Sequence, residues 1–251
     1  KKYEPMLLLP IGFGAILVNL PFEIVWQHEN SSGVLKILFE TGIMTELFPL
    51  LIFICVGAMI DFRPLLQRPW MLIFGIVAHG GILISAFIAY KVFGFSIPES
   101  ASIGVIGAAD GPTSILVTSR FAPNLMGAIT VCAYSYMSLV PIIMPPVIKF
   151  FTSKNERKLH VVSKDKSIPQ WIVITFPIFI TIIVSILVPM ATALIGFLMF
   201  GNLVKESGVL EKLTKTAQNE MANIVTLLLG ISVGSTMRAS EFLQYQTLLI
   251  M

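Results

Sequence analysis

One aspartate within an apolar stretch constrains this chain more than any other feature of its sequence. The stretch Ser102–Ser119 reads SIGVIGAADGPTSILVTS, and Asp110 is its only charged residue. Gly107 before it and Gly111-Pro112 after it predict a helix break, because proline lacks an N–H donor and glycine tolerates non-helical backbone. Within a membrane, such a break survives only where protein or a polar cavity surrounds it. The pattern therefore predicts a broken helix that presents Asp110 to an ion or a proton.

The rest of the sequence is that of a membrane protein. Of its 251 residues, 55% are hydrophobic and 12% are charged, whereas soluble domains carry about 25% charged residues. Apolar segments recur along the chain and predict an all-α polytopic membrane protein. The net charge of +3 gives no case for nucleic-acid binding, and no GxxxxGK[ST] phosphate loop is present. Cys55 and Cys132 lie in apolar segments and are expected to remain unpaired.

Apolar segments of several lengths define the expected helices. Trp70–Phe93 is long enough to cross a bilayer, whereas three prolines between 141 and 146 are expected to kink or end the helix in Pro123–Phe151 early. Lys205–Met221 has the spacing of an amphipathic surface helix, and Gly230 and Gly234 in the following segment predict close helix packing. The other predicted apolar segments are Met6–Phe22, Leu47–Ile60, Trp171–Pro189, Met190–Val204 and Asn223–Met237.

The distribution of charge predicts how these segments are organised. Lys149–Lys166 is the only long basic stretch, and the positive-inside rule places it in the cytoplasm. Broken helices near the bilayer midplane are typical of transporters built from inverted repeats. We therefore expect an inverted-repeat transporter-like bundle that forms a single transmembrane domain over residues 1–251. The first repeat would span about 1–151, a cytoplasmic basic linker 152–168, and the start of the second repeat 169–251.

Three roles for Asp110 are compatible with the residues that follow it. A carboxylate beside the hydroxyls of Thr113 and Ser114 would suit Na+, a hard cation that prefers oxygen ligands. Alternatively, Asp110 could carry a proton and exchange it for a metal ion, or simply cap the helix that begins near Pro112. Capping needs no buried charge, so a functional role is favoured. His79 in Trp70–Phe93 fits either a proton relay or a hydrogen-bonded packing role.

Several longer motifs resemble one known family. They are LLLPIGFGAILVNLP, VGAMIDFRPLL, IGAADGPTSI, AYSYMSLVPIIMPP, GNLVKESGVLEKLTKTAQN and NIVTLLLGISVG. In this order they resemble the β subunit of the biotin-dependent sodium-pumping decarboxylases, a family that includes the oxaloacetate, methylmalonyl-CoA, glutaconyl-CoA and malonate enzymes. The resemblance extends along essentially the whole chain.

The resemblance implies an activity. In such complexes a carboxyltransferase subunit moves CO2 onto biotin, and the β subunit decarboxylates carboxybiotin, consumes a proton and exports Na+. The resemblance implies that Asp110 and Tyr136, the second tyrosine of AYSYM, are catalytic; Tyr134 is the weaker match. It also implies that Asp110, Thr113 and Ser114 bind Na+.

The resemblance also implies partners and a location. Carboxybiotin would arrive on a biotin-carrying subunit, since this chain has no Met-Lys-Met biotinylation motif. A carboxyltransferase subunit, a small membrane subunit and further copies of the chain would complete the assembly. The location would be the bacterial cytoplasmic (inner) membrane, in which the lipid bilayer surrounds a multi-pass subunit.

Two alternatives and one departure from the family pattern remain. A Na+-coupled secondary transporter of a small solute, without decarboxylase chemistry, fits the residues alone equally well. A non-catalytic membrane scaffold leaves Asp110 without a role. The family's second broken helix carries an Asn-Pro-rich motif, and no NPxxP string follows Lys205. The chain is therefore expected to be part of a longer protein, and Asn202 is expected to cap a helix rather than bind the ion.

Overall fold

The computed structural model describes residues 7–20, 25–28, 31–158, 167–242 and 245–250. These residues form α-helices and one antiparallel ladder of Gln27–His28 with Ser31–Ser32, which confirms the predicted all-α class. The helices are α1 (Leu8–Val18), α2 (Val34–Phe39), α3 (Leu47–Met59), α4 (Arg63–Gln67), α5 (Leu72–Lys91), α6 (Ile97–Val105), α7 (Gly111–Phe121), α8 (Met126–Phe151), α9 (Gln170–Leu187), α10 (Thr192–Glu206), α11 (Glu211–Thr216), α12 (Ala222–Gly234), α13 (Ala239–Phe242) and α14 (Tyr245–Ile250).

Two helices in the described residues are long and apolar enough to cross a membrane. They are Pro69–Lys91, which contains α5, and Gln170–Leu187, with mean hydropathies of 2.2 and 2.3. A third candidate is the pair Val34–Met44 and Leu47–Met59, which are bent by 55° at a short break. The predicted spans at α5 and α9 are therefore confirmed, and the free cysteines are also as predicted.

Two helices differ from their predicted bounds. α8 runs from Met126 to Phe151, so its prolines do not end it early, and the alternative that they kink it remains a prediction. Membrane helices tolerate proline where neighbouring groups satisfy the freed backbone. The surface helix expected from Lys205 begins only at Glu211, because α10 continues to Glu206 and Gly208 then takes a φ of +69°. A left-handed glycine is a common helix terminator.

Glycines allow two pairs of helices to pack with their backbones in contact. A Cβ at Gly57 on α3 or Gly201 on α10 would overlap a backbone carbonyl of the facing helix. In the pair α1 and α12, a Cβ at Gly234 would overlap a carbonyl of α1, and one at Gly230 would lie 2.6 Å from Pro10. The predicted close packing at Gly230 and Gly234 is confirmed. Small residues at such crossings allow helices to pack without a hydrophobic driving force.

α6 and α7 form a helical hairpin. Near the start of α6, Glu99 accepts a hydrogen bond at 3.4 Å from Asn124, which follows the end of α7. Phe95 and Ala122, at the same end of the hairpin, belong to one buried apolar cluster. The turn that contains Asp110 therefore lies at the opposite end. The predicted break in the helix is confirmed, and the chain folds back on itself at this break.

Two segments share their local structure and run in opposite directions. α2 and the π-helical turn Glu40–Met44 recur as α11 and the π-helical turn Ala217–Met221, at a constant offset of 177 residues (211 minus 34, and 217 minus 40). Gln218, before α12, donates a hydrogen bond at 2.6 Å to the Ala58 carbonyl near the end of α3. The end of α3 therefore lies beside the start of α12, as expected for two helices that run in opposite directions. This arrangement supports the inverted repeat, whose predicted bounds remain a prediction.

Two asparagines bond to the ends of facing helices. One connects α10 to α3, and the other connects α1 to α12. Asn202 on α10 donates a hydrogen bond at 3.0 Å to the Ile60 carbonyl, just after α3. Asn19, after α1, donates at 2.9 Å to the Met237 carbonyl and accepts at 2.8 Å from the Ala239 N–H, just after α12. Ile60 and Met237 again differ by 177 positions (237 minus 60). The expectation that Asn202 lies at a helix end is wrong, because α10 continues to Glu206. Its amide instead donates to carbonyls at the end of α3.

We expect Asn202→Asp to lower the thermal stability of the full-length protein in detergent. The Asn202 side chain is 1% exposed, and an ionised carboxylate cannot donate to the carbonyls of α3. The lost hydrogen bonds and the buried charge should cost about 2 kcal/mol or more. Asn219→Asp is the matched control, because exposed Asn219 bonds only within its own helix. Equal melting temperatures for both variants would contradict a role of Asn202 in holding α10 against α3.

Candidate functional site

The turn of the hairpin places Asp110 directly before α7. α6 is followed by a 3-10 turn at Ile106–Ala108, and Ala109 then takes a φ of +53°. Asp110 is extended, with φ −125° and ψ 102°, and α7 begins at Gly111 with Pro112 in its first turn. A non-glycine residue in the left-handed region costs of order 1–3 kcal/mol and is common at functional sites. Asp110 occupies the N-cap position, but its side chain makes no capping hydrogen bond, so the capping role is not supported.

One hydroxyl bonds to the Asp110 carboxylate, and a second bonds to the backbone carbonyl of Asp110. The Thr113 hydroxyl donates a hydrogen bond to Asp110 Oδ2. The Ser114 hydroxyl lies 3.0 Å from the Asp110 carbonyl oxygen and 3.5 Å from that of Val105. Ser114 is fully buried, whereas Asp110 and Thr113 are half-buried. The structure therefore places the Thr113 hydroxyl on the Asp110 carboxylate and the Ser114 hydroxyl on backbone carbonyls. The Na+ ligand role of the three residues remains a prediction.

This arrangement suits a small hard cation or a proton. It offers carboxylate, hydroxyl and carbonyl oxygens, which are the ligands that hard cations prefer. Asp110 also lies at the positive end of the α7 dipole, which stabilises a carboxylate without neutralising it. Among the described residues, no group of three His, Cys, Asp or Glu side chains could hold a metal ion. A carboxylate in such surroundings has the chemistry to hold either a hard cation or a proton.

The two tyrosines of AYSYM lie on opposite sides of α8. Two residues along an α-helix rotate a side chain by about 200°. Tyr134 is 8% exposed, and its ring packs against Gly111, where an added Cβ would lie 2.6 Å from the phenol oxygen. Tyr136 is 43% exposed. The structure thus places Tyr134 next to Asp110, while the catalytic role expected of Tyr136 remains a prediction.

An ion pair that the sequence did not reveal fixes the other end of α7. Arg120, in its last turn, contacts Glu46 Oε1 through Nε at 2.6 Å and Nη2 at 2.5 Å. Glu46 directly precedes α3 and has a φ of +64°. The pair links the open end of the hairpin to α3. No signal in the local sequence relates these two residues, which lie 74 positions apart.

The remaining ionisable candidates have other partners in the structure. His79 Nδ1 is 2.7 Å from the Gly75 carbonyl of its own helix, which fits a local hydrogen-bonded role. Asp61 and Arg63 are 49% and 40% exposed, in keeping with a solvated boundary pair. Arg63 also forms an ion pair at 2.5 Å with Glu206, whose side chain is 3% exposed.

Comparison with known proteins identifies the family. A family model described as the Na+-transporting oxaloacetate decarboxylase beta subunit matches residues 1–251. The chain belongs to this family. The resemblance inferred from the motifs is therefore confirmed, and the chain is a multi-pass membrane protein of the β-subunit family.

Three relatives illustrate the similarity. The glutaconyl-CoA decarboxylase subunit beta of Acidaminococcus fermentans is 47% identical over 248 residues, which cover 99% of this chain and 64% of the relative. The methylmalonyl-CoA decarboxylase subunit beta of Propionigenium modestum is 45% identical, and the match covers 100% of this chain and 68% of the relative. The oxaloacetate decarboxylase beta chain of Klebsiella pneumoniae is 39% identical, and the match covers 99% of this chain and 70% of the relative. The chain thus spans about two thirds of the length of these relatives.

Proposed function

We propose that the full-length protein decarboxylates carboxybiotin and couples this reaction to Na+ export, as the membrane subunit of a decarboxylase complex. The observation that carries the proposal is the Asp110 carboxylate at the hairpin turn. It is bonded to the Thr113 hydroxyl and makes no capping bond to α7. Family membership supports the decarboxylase chemistry, and the oxygen ligands support Na+ as the exported ion.

Asp110 is proposed to hold either Na+ or a proton. Decarboxylation breaks the bond between the biotin nitrogen and the carboxylate, releases CO2, and leaves negative charge on the ureido group. A proton must neutralise that charge. Na+ bound by Asp110, Thr113 and Ser114 would leave outward as the carboxylate takes up a proton. That proton would then pass to the ureido group, which frees the carboxylate for the next Na+, and Tyr136 is proposed to assist this transfer. Moving one charge across 100 mV requires about 2.3 kcal/mol, which the decarboxylation must supply.

The connecting segments support the proposed orientation. Gln170, which follows the basic linker, donates a hydrogen bond at 2.7 Å to the Glu206 carbonyl, and Arg63 pairs with the Glu206 side chain. Arg63, Lys205 and the start of α9 therefore belong to one side of the protein. The basic residues of 149–158 are proposed to lie on this side as well. The positive-inside rule assigns this side to the cytoplasm. Residues 159–166 of the predicted linker lie outside the described residues.

The proposed assembly follows the family. We propose biotin-carrying and carboxyltransferase subunits, a small membrane subunit and further copies of this chain as partners, in a bacterial cytoplasmic membrane. Carboxybiotin would reach the protein on the biotin-carrying subunit from the cytoplasmic side.

Proteoliposomes that contain the full-length protein and its partner subunits test the function. CO2 release from carboxybiotin and uptake of radioactive Na+ are measured together, with and without Na+ in the medium. We expect Na+ to stimulate CO2 release and Na+ uptake to require carboxybiotin. Na+ uptake without any CO2 release would instead favour the secondary transporter.

A further inference from the structure

We propose that residues 149–158 form a binding surface for the headgroups of anionic phospholipids in the cytoplasmic leaflet of the membrane. The surface consists of the last turn of α8 and the loop that follows it. This inference goes beyond the proposed function, because it requires neither carboxybiotin nor Na+ at Asp110.

The length of α8 brings its end to the level of the headgroups. The helix has 26 residues, which span about 39 Å at about 1.5 Å per residue. The hydrocarbon core of a bilayer is about 30 Å thick. α8 begins at Met126, directly after the open end of the hairpin, and its final segment Ile142–Phe151 is still apolar. The last turn of α8 therefore extends past the hydrocarbon core into the headgroup region.

Exposed apolar side chains at this end of α8 indicate contact with lipid. Every residue of Ile142–Phe151 is exposed, so all faces of this segment are accessible. The rings of Phe150 and Phe151 are 84% and 78% exposed and meet edge to face, with centroids 5.1 Å apart. A protein partner would cover one face of such a helix, whereas lipid covers all of them. Apolar rings beside basic residues are typical of segments that lie at the membrane interface.

The same ten residues carry a concentrated positive charge. The cations are Lys149, Lys154, Arg157 and Lys158. With Glu156 they give a net charge of +3 (4 minus 1), which equals the net charge of the whole chain. Glu156 Oε2 accepts a hydrogen bond at 2.6 Å from the Ser153 N–H, so the acidic group is directed to the loop backbone. Anionic phospholipids attract basic segments at the membrane surface.

Hydrogen bonds hold the loop against the end of α8. Arg157 Nη1 donates at 3.0 Å to the Thr152 hydroxyl and at 3.4 Å to the Lys149 carbonyl oxygen. The Glu156 N–H donates at 3.3 Å to Ser153 Oγ, which completes a reciprocal pair. The loop therefore folds back onto the helix end and keeps its cations close to the two phenylalanine rings. Such a surface complements both the phosphate and the acyl chains of a phospholipid.

Binding of a fluorescent phosphatidylglycerol to the full-length protein in a zwitterionic detergent tests this inference. Fluorescent phosphatidylcholine is the neutral probe. The variant Lys154→Gln/Lys158→Gln removes two charges and keeps Arg157, which holds the loop. We expect the dissociation constant for phosphatidylglycerol to rise about fivefold for each charge removed, or about 25-fold in all. Binding of phosphatidylcholine should not change.

Two controls accompany this measurement. Lys212→Gln/Lys215→Gln removes the same charge from α11, where Lys215 already pairs with Glu211 at 2.6 Å, and should leave phosphatidylglycerol binding unchanged. Potassium chloride at about 1 M reduces the Debye length to about 3 Å and should weaken binding to the unaltered protein.

Two results would overturn the inference. One is equal affinity of the unaltered protein for phosphatidylglycerol and phosphatidylcholine, which would exclude selection by headgroup charge. The other is unchanged phosphatidylglycerol binding in Lys154→Gln/Lys158→Gln. If that variant also bound the biotin-carrying subunit more weakly, the surface would belong to a protein partner instead of the membrane.

Discussion

Asp110→Asn is expected to abolish Na+-dependent decarboxylation of carboxybiotin while leaving the protein folded. Asparagine has the shape of aspartate and retains an oxygen that can accept the Thr113 hydrogen bond. It has no charge to attract Na+ and takes up no proton at neutral pH. Loss of a group that handles the reacting proton typically lowers a rate by about 100-fold or more. Initial rates of CO2 release and Na+ uptake in proteoliposomes measure the effect.

Asp61→Asn is the matched control for this experiment. Asp61 is 49% exposed and lies 3.6 Å from Arg63 at a solvated boundary, where an ion pair contributes little. We expect this variant to retain both CO2 release and Na+ uptake. If Asp110→Asn also retained its activity with the Na+ dependence intact, Asp110 would be a structural residue at the start of α7 rather than the coupling residue.

Gly201→Ala is expected to cause a large loss of stability at the crossing of α3 and α10. A Cβ at this position would overlap the Ile54 carbonyl oxygen of α3 and would lie 3.0 Å from the Ala58 nitrogen. These are backbone atoms, so α3 and α10 would have to separate to accept the methyl group. Overpacking of this kind costs about 3 kcal/mol. Thermal unfolding of the full-length protein in detergent measures the loss.

Gly196→Ala on the same helix provides the comparison. The nearest atom to a Cβ at Gly196 is Thr181 Cγ2 at 3.7 Å, which is an ordinary packing contact. Alanine also favours the helix by about 1 kcal/mol over glycine. Gly196→Ala should therefore be neutral or slightly stabilising. A Gly201→Ala protein as stable as Gly196→Ala would show that α3 and α10 do not cross at this glycine.

The sequence was sufficient to locate the helix break because its causes are local. Gly107, Gly111 and Pro112 limit the backbone conformations available around Asp110 whatever surrounds them. Thr113 and Ser114 follow within one turn, so their proximity to Asp110 depends only on α7 forming. The predicted ligand cluster therefore needed no knowledge of the rest of the fold.

Features that depend on distant parts of the chain could not be predicted in this way. Glu99 and Asn124 hold the two helices of the hairpin together at its open end, and Arg120 connects the same end to Glu46, which directly precedes α3. The position of Tyr134 depends on how α8 packs on the turn, and the family motif alone favoured Tyr136 two residues later. Local periodicity carries no information on such pairings, because they arise from tertiary packing.

The expectation that the prolines could end α8 early failed for a related reason. Proline removes one backbone hydrogen bond and crowds the preceding turn, which in isolation favours the end of a helix. In α8 the helix nevertheless continues to Phe151. In hydrocarbon, ending a helix exposes more unsatisfied backbone groups than continuing past a proline does. The environment therefore outweighs the local preference.

The most direct test of the account is Na+ binding by the full-length protein as a function of pH. If Na+ and a proton compete for the one carboxylate of Asp110, the dissociation constant for Na+ should rise as the pH falls. The limiting slope is about tenfold for each pH unit. Asp110→Asn should remove both the binding and the slope. A Na+ affinity that stays constant with pH, or that survives in Asp110→Asn, would contradict exchange of Na+ for a proton at Asp110.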